Sequence, residues 1–84
     1  MEWTKTINKG EQQPTLAEAQ AFVGGWVERF EFDNGDLALC DEEGLMKGYE
    51  VNPVVWDNYA EMLVGKVIII KSEARDRNSE EGWG

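Results

Sequence analysis

The sequence predicts a small α+β domain, with a mostly antiparallel sheet of four to five strands and two short helices in the order β-α-β-β-(β)-α-β. Three observations predict it. Asn34-Gly35 separates two apolar-rich runs, the strongest short-range hairpin signal a chain carries. Two helix starts are legible, at Thr15-Leu16-Ala17-Glu18 and at Asn52-Pro53. The run Lys66–Lys71, KVIIIK, is β-branched throughout its middle and reads as a central strand covered on both faces.

Each element follows in order. In WTKTI, Trp3, Lys5 and Ile7 share one face and Thr4 and Thr6 the other, which predicts a first strand. Asn8 to Pro14 is polar, with Gly and Pro, and predicts a loop. Thr15 and Glu18 form a capping box: the hydroxyl accepts from the third helical N–H and the carboxylate reaches back. Leu16, Ala19 and Val23, with Phe22 flanking, put an apolar stripe on this helix, and Gly24-Gly25 ends it with a left-handed cap. So short a helix must pack on the sheet.

The hairpin strands are predicted over 26–32 and 37–42. With Asn34-Gly35 as a two-residue type I′ loop, Asp33 faces Asp36, Phe32 faces Leu37 and Phe30 faces Leu39. These four large apolar residues then share a face, and Glu31, Ala38, Arg29 and Cys40 occupy the other. Asp41-Glu42-Glu43-Gly44 predicts a second turn with Gly44 left-handed, and Leu45–Tyr49 a weak third meander strand at an edge. Asn52 caps a second helix, along which Val55, Tyr59, Met62 and Leu63 form a stripe with Trp56 beside it, ending at Gly65. Residues 1–71 thus form one domain. Residues 72–84 turn polar and charged and predict a disordered tail, with Trp83 its one large apolar residue.

Val23-Gly24-Gly25 after a short helix, Asn34-Gly35-Asp36-Leu37, Glu42-Glu43-Gly44-Leu45, the helix-starting Asn52 and Val64-Gly65-Lys66-Val67-Ile68 together resemble a family of small domains of unknown function, found largely in bacteriophages and mobile elements. The resemblance spans residues 15–70. Where that family often reads Asn-x-x-Ala, this chain has Asn52-Pro53-Val54-Val55. The resemblance implies a phage or prophage origin and a place in the bacterial cytoplasm, and it carries over no catalytic residue.

Composition narrows the functional classes. The chain of 84 residues has a net charge of −9, which repels nucleic acid and anionic membranes. No run reaches the ~20 apolar residues of a membrane span. With no histidine, the commonest general base and zinc ligand are missing. The lone Cys40 forms no internal disulfide and reads as a packing residue. The DNGD segment lacks the spacing of a calcium loop, and a domain of this size seldom encloses a cleft for paired catalytic carboxylates. No cofactor or metal is expected, and the chain is not expected to be an enzyme.

Seven acids lie between Glu28 and Glu43, opposed only by Arg29. The expected function is therefore non-catalytic binding: an acidic, nucleic-acid-mimicking surface that inhibits or modulates a basic host or defence protein. Its candidate contacts are Asp33, Asp36, Asp41, Glu42 and Glu43 at the two turn tips, with Tyr49 and Trp56 as aromatic contacts. The alternative is an oligomeric binder of a small nucleotide-like ligand, with Trp26 and Arg29 as its contacts.

Overall fold

The computed structural model describes residues 3–80 and Trp83. Its elements are strand β1 (Thr4–Ile7), helix α1 (Leu16–Val23), strands β2 (Val27–Glu31) and β3 (Leu37–Asp41), helix α2 (Pro53–Tyr59), strand β4 (Val67–Ile70), a 3₁₀ turn (Ser72–Ala74) and helix α3 (Arg77–Glu80). The sheet order is β1-β4-β3-β2. β1 pairs parallel to β4, whereas β4–β3 and β3–β2 are antiparallel, so the sheet is mixed and mostly antiparallel. The α+β class and the central position of the KVIIIK strand are both as the sequence predicts.

Alternation along the two inner strands builds a core on each face. On one face Leu37, Leu39, Ile68 and Ile70 meet Ile7, Ala19 of α1 and Trp83. On the other, Ala38, Cys40, Val67 and Ile69 meet Phe32 and Val55 of α2. Both faces are covered, so all of β3 and β4 is buried.

α1 starts and stops as its sequence dictates. Glu18 N–H donates to the Thr15 hydroxyl at 3.1 Å, and Thr15 N–H donates to the Glu18 carboxylate at 2.8 Å. These Thr15 hydrogen bonds, the backbone one foremost, lower the Glu18 pKa. Gly24, at φ 92°, closes the helix.

Five expectations are corrected. The hairpin register is shifted by one residue: Phe30 pairs with Ala38, Arg29 with Leu39 and Glu31 with Leu37. The loop is three residues, Asp33-Asn34-Gly35, with Gly35 at φ 91°, closed by Gly35 N–H to the Phe32 carbonyl at 3.0 Å. Phe30 and Phe32 therefore face α2 while Leu37 and Leu39 face α1. A buried central β3 needs apolar residues on both faces, and that requirement sets the register.

Residues 42–48 form turns rather than a third meander strand, and β-pairing resumes only at an isolated Val51–Val64 bridge. Gly44 is not left-handed. It is needed because a Cβ there would stand 2.8 Å from a Val64 methyl.

α2 ends at Tyr59, because Ala60 turns left-handed at φ 56°, and Met62 faces out instead of continuing the stripe.

The segment expected to be a disordered tail is packed where it is described; residues 81, 82 and 84 lie outside the described residues. Trp83 is 1% exposed, and its indole donates to the Pro14 carbonyl at 3.3 Å. Arg75 grips Glu80 in a bidentate pair at 2.7 and 3.1 Å, and also reaches Glu31 at 3.1 Å and the Gly35 carbonyl at 3.0 Å. Glu80, then Glu31, stabilises the guanidinium charge and raises the Arg75 pKa further. A polar composition conceals this strap because its charges neutralise one another.

Candidate functional site

The strands place the two acidic turns at opposite ends of the sheet. The 33–35 loop caps one end, together with the exits of β1 and β4. The 42–49 turns cap the other, with the starts of β1, β2 and β4. The acids therefore form two separate tips rather than one surface.

At the first end Asp36 is buried. Its carboxylate accepts from the Tyr59 hydroxyl at 2.7 Å, Lys71 at 2.9 Å, Ser72 N–H at 2.8 Å and the Asn34 amide at 3.1 Å. Burial alone would push its pKa up, but these hydrogen bonds outweigh burial and hold it at about 2. Tyr59 is pinned further by stacking on Phe32, centroids 3.8 Å apart. Asp36 is thus a structural hub and leaves the set of exposed candidates. Of the two candidate acids at this tip, Asp33 is exposed and Asp36 is not.

At the second end Asp41 is likewise buried, paired with Lys47 at 2.6 Å and accepting from Glu43 N–H at 2.9 Å. Burial opposes ionisation of Asp41, yet Lys47 and the Glu43 amide bring its pKa down. Lys47 also donates to the Gly24 carbonyl at 3.2 Å. A Cβ at Gly25 would stand 2.8 Å from the Lys47 ammonium and 2.9 Å from the Asp41 carboxylate, so this pair requires the second glycine. Asp41, too, is internal.

Glu42 and Glu43 remain exposed, with Glu28 of β2 nearby across the hairpin mouth. Among the described residues, no cation lies within ion-pair distance of Asp33, Glu42 or Glu43. Glu42 N–H donates to the Trp26 carbonyl at 2.9 Å, which brings Trp26 beside this tip. Trp26 is 65% exposed, Leu45 80% and Met46 86%. Large apolar side chains are thus open to solvent beside acids that have no ion-pair partner among the described residues.

A groove of about 430 Å³ opens at the same end of the sheet. Trp3, Phe22 and Tyr49 wall it, Gly24, Gly48 and Gly65 supply close backbone, and Lys66 and Glu50 carry its charges. Tyr49 is seated where a Cβ at Gly65 would come within 2.6 Å of its ring. Underneath lies Asn52, fully buried. Its side-chain oxygen accepts from Val54 N–H, Val55 N–H and the Thr4 hydroxyl at 3.0–3.2 Å, and its amide donates to the carbonyls of Trp3 and Gly65 at 3.2 and 2.9 Å. The helix cap read from the sequence is therefore also the joint that holds β1, β4 and α2 together.

A family described as a domain of unknown function, DUF3846, matches residues 2–81. The chain belongs to the DUF3846 family. The match takes in β1 and the strap, beyond the 15–70 span of the resemblance. No curated protein and no solved structure matched the chain.

Other candidates in this DUF3846 domain are settled by position. Arg29 is paired with Glu80 at 3.1 Å, while Trp26 lies before the start of β2 and is exposed. Trp56 is half exposed on α2, and Tyr49 is half-buried in the groove. Cys40 is buried. Burial, then the charges of Glu28 and Asp41, pushes its thiol up to about 11, away from thiolate chemistry. Among the described residues, no cluster of three or more Cys, Asp or Glu side chains is placed to hold a metal ion, and no helix is long and apolar enough to cross a membrane. The sequence pointed to Glu42, Glu43, Trp26 and Tyr49. It missed Leu45 and Met46, whose apolar pair reads as strand, and it missed Trp3, Phe22 and Lys66, which only the fold brings together.

Proposed function

We propose that this domain is a non-catalytic binding protein that docks on a basic protein surface through the Glu42–Met46 end of its sheet. One observation carries the reading: Trp26, Leu45 and Met46 are open to solvent beside Glu42 and Glu43, which have no cation partner among the described residues. Arg29, Lys47, Lys71 and Arg75 are all committed to Glu80, Asp41, Asp36 and Glu31. The local field at this tip is therefore negative and available to a partner, while the apolar residues supply contact area.

The partner chemistry that fits is a cationic surface with apolar recesses, such as the groove of a nucleic-acid-handling protein. Occupying that groove would inhibit or modulate the partner in a bacterial cytoplasm, as a phage or prophage product would. Of the acidic residues, Glu42 and Glu43 act on the partner, and Asp36 and Asp41 support the fold.

The test is a pull-down from bacterial lysate at low and high salt, with wild type beside a Glu42→Lys/Glu43→Lys variant. A basic protein held at low salt, released at high salt and lost by the variant is the expected result. Equal capture by both proteins at both salt concentrations would sink the reading.

A further inference from the structure

We infer that the Trp3–Phe22–Tyr49 groove is a seat for an arginine side chain of the basic partner. The inference rests on the docking reading above and names the anchor that reading lacks. The groove adjoins the acidic tip, joined to it through the Lys47–Asp41 pair that bridges Gly24 and the 42–49 turns.

Its aromatic rings already attract cations within the chain. The Lys66 ammonium stands 5.6 Å from the Phe22 ring centroid, and the Lys47 ammonium 5.9 Å from that of Tyr49. Lys47 is locked to Asp41, whereas Lys66 has no carboxylate within ion-pair distance among the described residues. Lys66 is therefore a replaceable occupant. Glu50, exposed at the rim and without an ion-pair partner among the described residues, supplies the carboxylate that an incoming cation needs.

The aromatic lining favours arginine over lysine. A guanidinium is flat, stacks on aromatic faces and gives up its hydration more readily than an ammonium. At Gly48, which lines the groove, a Cβ would meet nothing within 4 Å, so there is open space beside the turn for a flat group.

The experiment is an NMR titration of the full chain with hexa-arginine amide and, separately, hexa-lysine amide, following backbone amides. Hexa-arginine is expected to shift Gly24, Gly48 and Gly65, and hexa-lysine to shift them less. Lys66→Met removes the competing ammonium and should tighten hexa-arginine binding about two- to fivefold. Glu50→Gln should weaken it by a similar factor. Both side chains lie at the groove's rim, so the glycine amide pattern of the free variants verifies that the fold is kept.

Shifts confined to Trp26, Glu42 and Glu43 would overturn the groove assignment and leave the docking surface standing. Weaker binding by Lys66→Met would also overturn it, because Lys66 would then be holding an anion. No shift at either place would remove both readings.

Discussion

The two ends of the sheet are held by different chemistry. At one end the hub is Asn52, an uncharged amide with five hydrogen bonds to two strands and a helix. At the other it is Asp36, a carboxylate that gathers Lys71, Tyr59, Ser72 and Asn34. Beside the charged hub, Arg75 and Glu80 close the sheet end with the strap. Beside the neutral hub, no comparable segment among the described residues closes the groove, and Glu42 and Glu43 are exposed. Arg29, Lys47, Lys71 and Arg75 are each paired with a carboxylate, whereas Glu42 and Glu43 have no cation within ion-pair distance among the described residues. One end is built to be shut, and the other is available for contact.

The comparison can be broken first at the strap. Trp83→Ala should cost about 3–4 kcal/mol, since it empties a core site on the α1 face. Urea denaturation measures this, and a change under 1 kcal/mol would mean that the strap is not part of the fold. At the neutral hub, Asn52→Ala should cost about 3 kcal/mol by orphaning the Gly65 carbonyl, removing one of the two donors to the Trp3 carbonyl and uncapping α2. Its deficit should be the same at pH 3 and pH 7, because an amide does not titrate.

The charged hub should behave otherwise. The Asp36 pKa is lowered to about 2 from an ordinary 3.8, so its contribution is fully present above about pH 4 and is lost as pH falls through 2. That contribution is roughly 2 kcal/mol. Asp36→Asn should lower stability by that order at pH 7 and flatten the acid limb of the stability curve. An unchanged limb would mean that other carboxylates govern acid unfolding. The smallest stability effect is expected at the open end, where Glu42→Lys/Glu43→Lys should change it by less than about 0.5 kcal/mol.

Much of the fold was legible because its signals are local. The Thr15–Glu18 box, the Gly24 cap, the Asn52-Pro53 start and the buried KVIIIK strand each depend on neighbours within a few residues. The register was not, because Asn34-Gly35 serves a two-residue loop and the end of a three-residue loop equally well. The choice between them came from Ile68 and Ile70, which need Leu37 and Leu39 on their own face. The site was half legible for the same reason. Exposed Glu42 and Glu43 follow from composition and turn chemistry, whereas the exposure of Trp26 does not. The burial of Asp36 does not, since the cation that makes it tolerable is Lys71, 35 residues away. Nor did a polar tail announce that its charges pair with each other and with Glu31.

The central claim is that the two acidic tips differ in role, although composition makes them alike. The direct measurement is the affinity of the captured basic partner for Glu42→Lys/Glu43→Lys and for Asp33→Lys, each against wild type at low salt. The account predicts a loss of about tenfold or more for the first variant and little change for the second. Equal losses, or a loss at Asp33 alone, would contradict it.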